Sequence, residues 1–466
     1  MISPSYLIPP LHSCVFSLYF SRVVRIKLIT TKQCTYSKKP NKQNLGGGRE
    51  VGRLSVFVRP GNSDKGVLLD CGINFDDQGN PQLPLYVSPK NIKAAVLTHA
   101  HLDHTGGLPL YLPLYFVTLS FPVLSTSITK AILRPLMNDF LHISGYYLPF
   151  EYEEVAKMLR NIKTVNYGDI VEVDNFTLEF VNAGHIPGSM SVILHANSKS
   201  MLFTGDINLI ETELTIPARY HNSSNVDYLV METTYAITDH PPRESEEKRF
   251  IEAVREVIDN NGTVLIPAFS VSRSQEILIV LTKYGVDAPI FYDGMVREIN
   301  RIFLAHSRFL KNPSMLRRAL RISHEIKGWQ DRKAVLKERP AVIVASSGML
   351  RGGPSIYYLK KIYDDPRNAI FLVSFQAPNT PGRMILEKGV FEQGGPRIKA
   401  RVEWFDFSSH AGKTQLIKVI DCLKSSLEKI ILVHGESEAQ ETFAREVYGK
   451  FGIETIISSN NAKIEL

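Results

Sequence analysis

The sequence has 466 residues and only four cysteines, which are far apart and form no CxxC pair; they are Cys14, Cys34, Cys71 and Cys422. This scarcity excludes a disulfide scaffold and a thiolate zinc site, and it favours a reducing compartment such as the cytoplasm. Long apolar runs are also missing. The uncharged stretches 1–20 and 105–129 are interrupted by prolines, and neither contains the ~20 unbroken apolar residues of a spanning helix. The sequence therefore predicts no membrane segment.

The net positive charge of the chain is confined to the N-terminal region. The chain carries 54 Lys/Arg and 47 Asp/Glu, a formal net charge of +7. Residues 1–60 hold ten of the basic residues and only one acidic residue, a local charge of +9. The remaining 44 basic and 46 acidic residues nearly balance, so a uniformly basic, nucleic-acid-coating surface is not indicated. The 44% hydrophobic and 22% charged composition is that of a globular protein.

Strand-like aliphatic runs bounded by Gly, Pro, Asn and Asp fill the first half of the chain. A first pair of strands, Val23–Ile29 and Leu54–Val58, is predicted to flank a polar loop that includes Thr30–Asn44. Residues 1–22 are predicted to be a loosely ordered extension. Further strands are predicted over the ranges Gly66–Asp70, Ala94–Thr98, Thr177–Asn182, Ser191–Ala196 and Met201–Thr204.

Helices and strands alternate in the second half. Apolar spacing predicts helices over Glu244–Asn260 and Ser272–Lys283, with the strand Thr263–Ile266 between them, which is a βαβ-type pattern. Residues 297–339 carry 12 Lys/Arg and 4 acidic residues in a mostly helical pattern. Three more strands and a closing helix are predicted over the ranges Ala341–Ala345, Ala369–Ser374, Lys429–Val433 and Glu438–Phe451.

The most informative segment is AAVLTHAHLDHTGGLP at Ala94–Pro109. His99 and His101 are two residues apart, so in extended chain both side chains point to the same side. Asp103 and His104 follow just beyond the strand, where a turn can direct them to a second point. Imidazole and carboxylate groups are the ligands that hold Zn²⁺ or a similar ion. The HxHxDH spacing therefore predicts two adjacent metal ions rather than a histidine-rich surface turn.

Other ligand-type residues also follow apolar strands. Asp70 ends GVLLD, His185 lies in AGHIPGS, Asp206 ends MLFTGD and His434 ends KIILVH. A single aspartate at a strand end is usually a turn former. Several such ends beside an HxHxDH segment predict instead that the groups converge at one edge of a sheet.

These motifs together resemble the metallo-β-lactamase fold of zinc hydrolases. The later motifs VMETTY, DFSSHAG and LVHGE resemble the β-CASP subfamily of nucleases. The run Ser346–Pro354 and the SSHAG form of the second motif are most similar to archaeal homologues of the endonuclease subunit of the cleavage and polyadenylation specificity factor, in the form without KH domains.

The resemblance implies a four-layer αββα metallo-β-lactamase domain interrupted by an α/β β-CASP domain. The expected division is 23–236 and 405–466 for the first domain and 237–404 for the insertion. It also implies two Zn²⁺ ions per chain, one held by His99, His101 and His185, the other by Asp103, His104 and His434. Asp206 would bridge the ions, and Asp70 would orient a ligand histidine.

The same resemblance implies hydrolysis of single-stranded RNA, as endonuclease, 5′–3′ exonuclease or both, in RNA 3′-end processing or decay. Two metals ~3.5–4 Å apart can activate a shared water and stabilise the entering and leaving oxygens. His410 is predicted to be the general acid, with Glu232 as its partner. A histidine at position 434 resembles the RNA-directed members, and relatives suggest a homodimer.

Binding residues for the substrate are less clearly marked. Ser346, Ser347 and Gly348 could cradle a phosphate through backbone N–H groups, or could form an ordinary tight turn. Arg273 and Arg383 are further candidates. The basic run 297–339 could line an RNA path or be a solvated helical face. A non-catalytic RNA-processing scaffold and a small-molecule metallohydrolase of glyoxalase II type are the alternative functions.

Overall fold

The computed structural model describes residues 40–61, 63–76, 78–111, 121–220 and 225–465. The predicted extension 1–22 and the predicted strand Val23–Ile29 lie outside these residues. In chain order the strands up to residue 240 are β1 (Pro40–Gly46), β2 (Ser55–Pro60), β3 (Gly66–Leu69), β4 (Asn74–Phe75), β5 (Pro81–Gln82), β6 (Ile92–Val96), β7 (Val123–Thr126), β8 (Ile162–Val165), β9 (Ile170–Val173), β10 (Phe176–Asn182), β11 (Met190–Ala196), β12 (Lys199–Phe203) and β13 (Tyr228–Glu232).

The later strands begin after a long helix and extend to the end of the described chain. They are β14 (Thr263–Pro267), β15 (Ile290–Asp293), β16 (His324–Glu325), β17 (Ala341–Ala345), β18 (Ala369–Leu372), β19 (Arg401–Trp404), β20 (Lys429–Val433), β21 (Glu454–Ile457) and β22 (Lys463–Glu465). The predicted strands therefore occur where their aliphatic runs indicated, with ends that shift by one or two residues.

The α-helices are α1 (Leu102–Thr105), α2 (Ser127–Ser144), α3 (Tyr152–Asn161), α4 (Arg243–Asp259), α5 (Arg273–Lys283), α6 (Val296–Ala305), α7 (Pro313–Ile322), α8 (Trp329–Val335), α9 (Gly353–Ile362), α10 (Pro381–Lys388), α11 (Lys413–Leu423) and α12 (Ser437–Phe451). Short 3₁₀ turns occur at Pro89–Asn91, Leu108–Tyr111, Gly145–Tyr147 and Ser307–Phe309. None of the helices in the described residues is long and apolar enough to cross a bilayer.

Two seven-stranded sheets form the middle of the first domain. Their strand orders are β22-β1-β2-β3-β6-β7-β8 and β21-β20-β13-β12-β11-β10-β9. The inner faces pack on each other through aliphatic and aromatic side chains, including Val56, Val67, Phe180 and Phe203. Alternate residues of the same strands point outward to helices, as expected for strands buried on both faces.

The outer faces are covered by helices. Phe57 and Leu68 of the first sheet pack on Met137 of α2 and Met158 of α3. The outer face of the second sheet packs on α11 and α12 through side chains that include Leu229, Leu432, Ile420 and Phe443. The order of layers is helix, sheet, sheet, helix, which confirms the predicted four-layer αββα domain.

A third sheet of six strands, β16-β15-β17-β14-β18-β19, forms the inserted α/β domain. Its strand pairs are parallel. One face packs on α4 and α5 through Phe250 and Ile277, and the other packs on α9 through Tyr358 and Leu359. Because parallel strands end at one edge, the loops after β14, β17, β18 and β19 lie side by side.

One prediction at the start of the chain is wrong. Residues Thr30–Asn44 were expected to form a polar loop, but β1 includes the last five of these residues. The strand exists because it pairs with β2 on one side and with β22 on the other. Pairing with a segment more than 400 residues away gives no local signal, and strand formation depends strongly on such context.

Candidate metal centre and cleft

The predicted metal ligands all follow strands that end at one edge of the two facing sheets. His99, His101, Asp103 and His104 follow β6, and His185 follows β10. Asp206 follows β12, and His434 follows β20. The structure brings these side chains together in two groups, with the ligand atoms of each group within 4.8 Å of one another.

The first group is built around three imidazole nitrogens. His101 Nδ1 lies 3.1 Å from His99 Nε2 and 3.3 Å from His185 Nε2. A tetrahedral zinc with Zn–N bonds of ~2.0–2.1 Å would separate its ligand nitrogens by about 3.3 Å. The rings stand at steep angles to one another, with interplanar angles of 75–80°. The three nitrogens therefore have the spacing of ligands around one ion.

The second group contains Asp103, His104 and His434. His434 Nε2 lies 3.4 Å from Asp103 Oδ2. Asp206 stands between the two groups, because its Oδ2 atom is 3.4 Å from His99 Nε2 and 3.2 Å from His104 Nε2. A carboxylate in this position can bridge two ions.

Hydrogen bonds fix the tautomers of three ligand histidines. His104 donates from Nδ1 to Asp70 Oδ2 at 2.8 Å, and His185 donates from Nδ1 to the carbonyl oxygen of Ser409 at 2.8 Å. The Thr98 hydroxyl donates to Asp70, so it can accept from His99 Nδ1 at 3.1 Å. Each of these bonds leaves the Nε2 lone pair directed at the group centre.

Asp70 is completely buried and acts on two ligands at once. Asp70 accepts a hydrogen bond from His104 and another from the backbone N–H of Thr98, the latter at 2.8 Å. It therefore also fixes the position of Thr98, the residue before His99. Asp70 thus lies where it could orient a ligand histidine, the role predicted for it. Thr98 was not singled out from the sequence, since a threonine at the end of a strand carries no distinctive signal.

The turn that follows Asp70 requires a glycine at position 72. A Cβ atom on Gly72 would lie only 1.6 Å from the carbonyl oxygen of Asp103. We expect Gly72→Ala to destabilise the protein by about 3 kcal/mol, because the ligand loop must move to relieve the overlap. The midpoint of urea unfolding measures this loss. Gly449→Ala is the matched control: it lies in α12 with open space around it and should gain ~0.5–1 kcal/mol. Equal midpoints for the two variants would contradict this account.

The charge of the cluster fits a bound cation. Burial lowers the pKa of His99 and His185, and it lowers the pKa of His101 to about 4, so these rings are neutral ligands near pH 7. Within the same cluster, His104 Nε2, His434 Nε2 and Asp206 Oδ1 are buried and form no hydrogen bond. An unsatisfied buried polar atom costs ~1–3 kcal/mol. The donor set of imidazoles and carboxylates suits a divalent ion such as Zn²⁺.

Beside the metal groups, Glu232 and His410 form a pair. His410 Nδ1 lies 3.2 Å from both carboxylate oxygens of Glu232. Glu232 is fully buried at the end of β13 and also accepts the backbone N–H of Ile207 at 2.9 Å. Burial alone would lower the pKa of His410, but Glu232 and Asp206 raise it to about 9. The ring is therefore held in its protonated form near neutral pH.

Comparison with protein families assigns all three parts of this architecture. The metallo-beta-lactamase superfamily matches residues 48–240, the Beta-Casp domain matches 274–385, and the Zn-dependent metallo-hydrolase RNA specificity domain matches 395–458. The chain belongs to the β-CASP family of metallo-β-lactamase-fold hydrolases. This confirms the resemblance and the fold class predicted from the sequence.

Archaeal relatives match over most of the chain. "RNase aCSPSF2" of Saccharolobus solfataricus is 45% identical, covering 91% of this chain and 84% of that protein. "Probable RNase MJ4" of Methanocaldococcus jannaschii is 35% identical, covering 90% of this chain and 99% of that protein. "Transcription termination factor FttA" of Pyrococcus abyssi is 34% identical, covering 91% of this chain and 70% of that protein. A structure of a protein of unknown function from Enterococcus faecalis, 13% identical, covers 92% of this chain and all of that one with a TM-score of 0.58, which shows the shared fold.

The β-CASP domain and the metallo-β-lactamase domain face each other across a cleft of about 770 Å³. One wall contains His101, Asp103, Asp206 and His434, and the other is formed by the carboxyl-terminal loops of the third sheet. Residues that the sequence did not single out also line it, namely Phe75, Thr234, Tyr235, Met349, Arg351, Phe375 and Trp404.

The loop Asp406–His410 closes one end of this cleft and is anchored to the start of α4. Arg243 donates from Nη2 to the carbonyl oxygens of Phe407 and Ser408, and Glu246 accepts the N–H of Asp406 at 2.7 Å. His240 donates from Nδ1 to Asp406 at 2.7 Å. The β-CASP connection thus fixes the position of His410.

The predicted substrate-binding residues have different locations. Arg273 is buried in the cleft wall, where it donates to Ser409 Oγ at 3.0 Å and its Nε forms no hydrogen bond. Burial and the guanidinium of Arg243 lower the pKa of Arg273 to about 10. Ser347 lines the cleft, but its N–H donates to the carbonyl oxygen of Gly352 at 3.4 Å.

The other candidates are farther from the centre. Ser346 is buried, and the carbonyl oxygen of Gly348 accepts from Gln376 at 3.0 Å. Arg383 pairs with Glu387 at 2.6 Å and is not among the described residues that line the cleft. No residue of the basic run 297–339, all of which the structure describes, lines it either.

Proposed function

We propose that this chain uses two zinc ions to hydrolyse phosphodiester bonds of single-stranded RNA, leaving 5′-phosphate and 3′-hydroxyl ends. The observation that carries the proposal is the position of Asp206 Oδ2, 3.4 Å from one histidine group and 3.2 Å from the other. A carboxylate shared between two ligand groups is the arrangement that a two-metal hydrolase requires.

The roles of the residues follow from their placement. His99, His101 and His185 would hold one ion, Asp103, His104 and His434 the other, and Asp206 would belong to both. Bound there, the ions would supply a nucleophile near neutral pH and neutralise phosphate charge. Glu232 would keep His410 protonated, and His410 would give its proton to the leaving 3′-oxygen.

RNA is the proposed substrate because of the relatives and the cleft. Two relatives carry the name RNase, and the C-terminal family match is described as an RNA specificity domain. The cleft opens along the loops of a parallel sheet, where such folds bind ligands. A non-catalytic scaffold would have no need to keep a complete ligand set, and a small-molecule hydrolase would have no need for the β-CASP wall.

Removal of metal provides the direct test. The purified protein should contain two zinc ions per chain by elemental analysis. Dialysis against a chelator should reduce RNA cleavage to background, because no nucleophile is activated without the ions, and added zinc should restore it. An RNA labelled at either end shows whether cleavage is internal, from the 5′ end, or both. Cleavage at an unchanged rate by metal-free protein would refute the proposal.

Three further parts of the proposal do not come from the site. A homodimeric assembly and a role in RNA 3′-end processing or decay follow from the resemblance, and a cytoplasmic location follows from the scarcity of cysteine. Sedimentation of the purified protein measures the assembly, independently of the catalytic proposal.

A further inference from the structure

Two aromatic side chains in the cleft are left partly uncovered by the fold. Phe375 is 45% exposed and Trp404 is 40% exposed, and both line the cleft that contains His410 and the metal ligands. Their neighbours in the cleft wall include the apolar residues Met349, Ala377 and Pro378. Large aromatic rings usually bury their surface, and two open rings inside the cleft are placed to contact a ligand with a flat apolar face.

The Trp404 ring is held in place by a hydrogen bond, and the chain around Phe375 is tied to the same point. Trp404 donates from Nε1 to the carbonyl oxygen of Ser374 at 3.3 Å, which ties it to the residue before Phe375. Gln376, the residue after Phe375, donates from its side chain to that same carbonyl and to the carbonyl oxygen of Gly348, each at 3.0 Å. Arg249 also donates to the Trp404 carbonyl oxygen at 2.8 Å. A fixed indole ring loses little entropy when it binds a ligand.

Both aromatic residues lie at the edge of the third sheet that lines the cleft. Trp404 pairs with Leu372 at the carboxyl edge of the third sheet, and Phe375 follows β18 at that edge. The loop after Trp404 leads within six residues to His410. Both residues line the same cleft as His410 and the metal ligands, so a nucleic-acid strand that extends from His410 along this wall would bring its nucleotides to the two rings.

We propose that Trp404 and Phe375 form a base-stacking subsite for nucleotides that flank the scissile phosphate of single-stranded RNA. The inference rests on the proposed ribonuclease function. It adds a physical reason why the enzyme would prefer single-stranded RNA to a duplex. Stacking accepts any base because every base has a π-face. In a duplex both faces of each base are already covered by its neighbours, so this subsite favours unpaired RNA.

Steady-state kinetics on a single-stranded oligoribonucleotide tests the subsite. Stacking energies predict that Trp404→Ala and Phe375→Ala each raise KM by about 10- to 100-fold. Trp404→Phe and Phe375→Tyr should restore most of the affinity, because they keep a ring. Trp329→Ala is the matched control: this second exposed tryptophan lies on α8 against Tyr357 and does not line the cleft.

Fluorescence gives a second measurement that does not require turnover. The chain has two tryptophans, so Trp329→Phe leaves Trp404 as the only one. Rapid mixing with the oligonucleotide should quench this fluorescence before product forms. Oligonucleotides carrying a single abasic nucleotide, walked along the strand, should lose the quenching and the affinity at only one or two positions. The loss of affinity should be absent in Trp404→Ala protein.

The outcomes separate the two proposals. Unchanged KM in both alanine variants, together with unquenched Trp404 fluorescence in an enzyme that cleaves RNA, would overturn the stacking subsite and leave the ribonuclease function intact. Quenching at defined base positions in a protein that cleaves no RNA would support the subsite and refute the hydrolytic function. A uniform effect of abasic nucleotides at every position would also overturn the subsite.

Discussion

Asp206→Asn protein should remain folded and lose RNA cleavage to below about one part in 10⁴ of the wild-type rate. The carboxylate is 2% exposed, and its Oδ2 atom lies close to both histidine groups. The amide has nearly the same size, so packing is retained. It presents only one oxygen and no charge, so it cannot hold two cations together.

Zinc content distinguishes this explanation from a folding defect. Elemental analysis should find fewer than two zinc ions per Asp206→Asn chain, while circular dichroism remains that of the wild type. Asp421→Asn is the control, because Asp421 is an exposed residue of α11 that pairs with Lys424, the residue after the helix. A variant with both zinc ions and normal cleavage would show that Asp206 is not a bridging ligand.

His410→Ala should lower kcat by about 10²–10⁴-fold, the usual contribution of a general acid. The metal ligands are untouched by this change, so zinc content should stay at the wild-type level. His195→Ala provides the control, since His195 is an exposed residue of β11. Normal kcat in His410→Ala protein would exclude the residue from proton transfer.

A modified substrate tests the assigned proton directly. An RNA whose scissile 3′-oxygen is replaced by sulfur has a leaving group that needs no proton. The His410→Ala defect should largely disappear on this RNA, whereas the Asp206→Asn defect should persist. An equally large His410→Ala defect on both substrates would mean that His410 acts in binding and not as the acid.

The Glu232 carboxylate sets the pH range of this acid. Together with Asp206 it raises the pKa of His410 to about 9, and the acid must be protonated to act, so wild-type kcat should fall only as the pH rises through about 9. Glu232→Gln removes one of the charges that raise the pKa, so the fall should move to lower pH. A pH profile of kcat for the two proteins measures the displacement.

The sequence points to the candidate ligands because each one follows a strand that ends in apolar residues. Asp70, His99 and Asp206 stand at or just after the apolar ends of β3, β6 and β12, and the sheets then bring these ends to one edge. Their signal is local, so it can be read without the fold. The HxHxDH spacing already predicted two adjacent ions, whereas the assignment of His185, Asp206 and His434 to them and the roles of Glu232 and His410 came from the family resemblance.

Other features depend on contacts between distant segments. β1 is a strand because β2 and β22 flank it, which its polar composition does not reveal. Trp404 is 40% exposed while the next residue, Phe405, is fully buried, so hydrophobicity alone cannot tell a cleft residue from a core residue. Arg383, a predicted binding residue, forms an ion pair with Glu387 and is not among the described residues that line the cleft, which its sequence position alone does not indicate.

One hydrogen bond links His185, a predicted metal ligand, to the loop that carries His410. His185 is oriented by the carbonyl oxygen of Ser409, and the next residue along the chain is His410. A widening of the cleft that pulled this loop outward would release the His185 ring and remove the proton donor in a single movement.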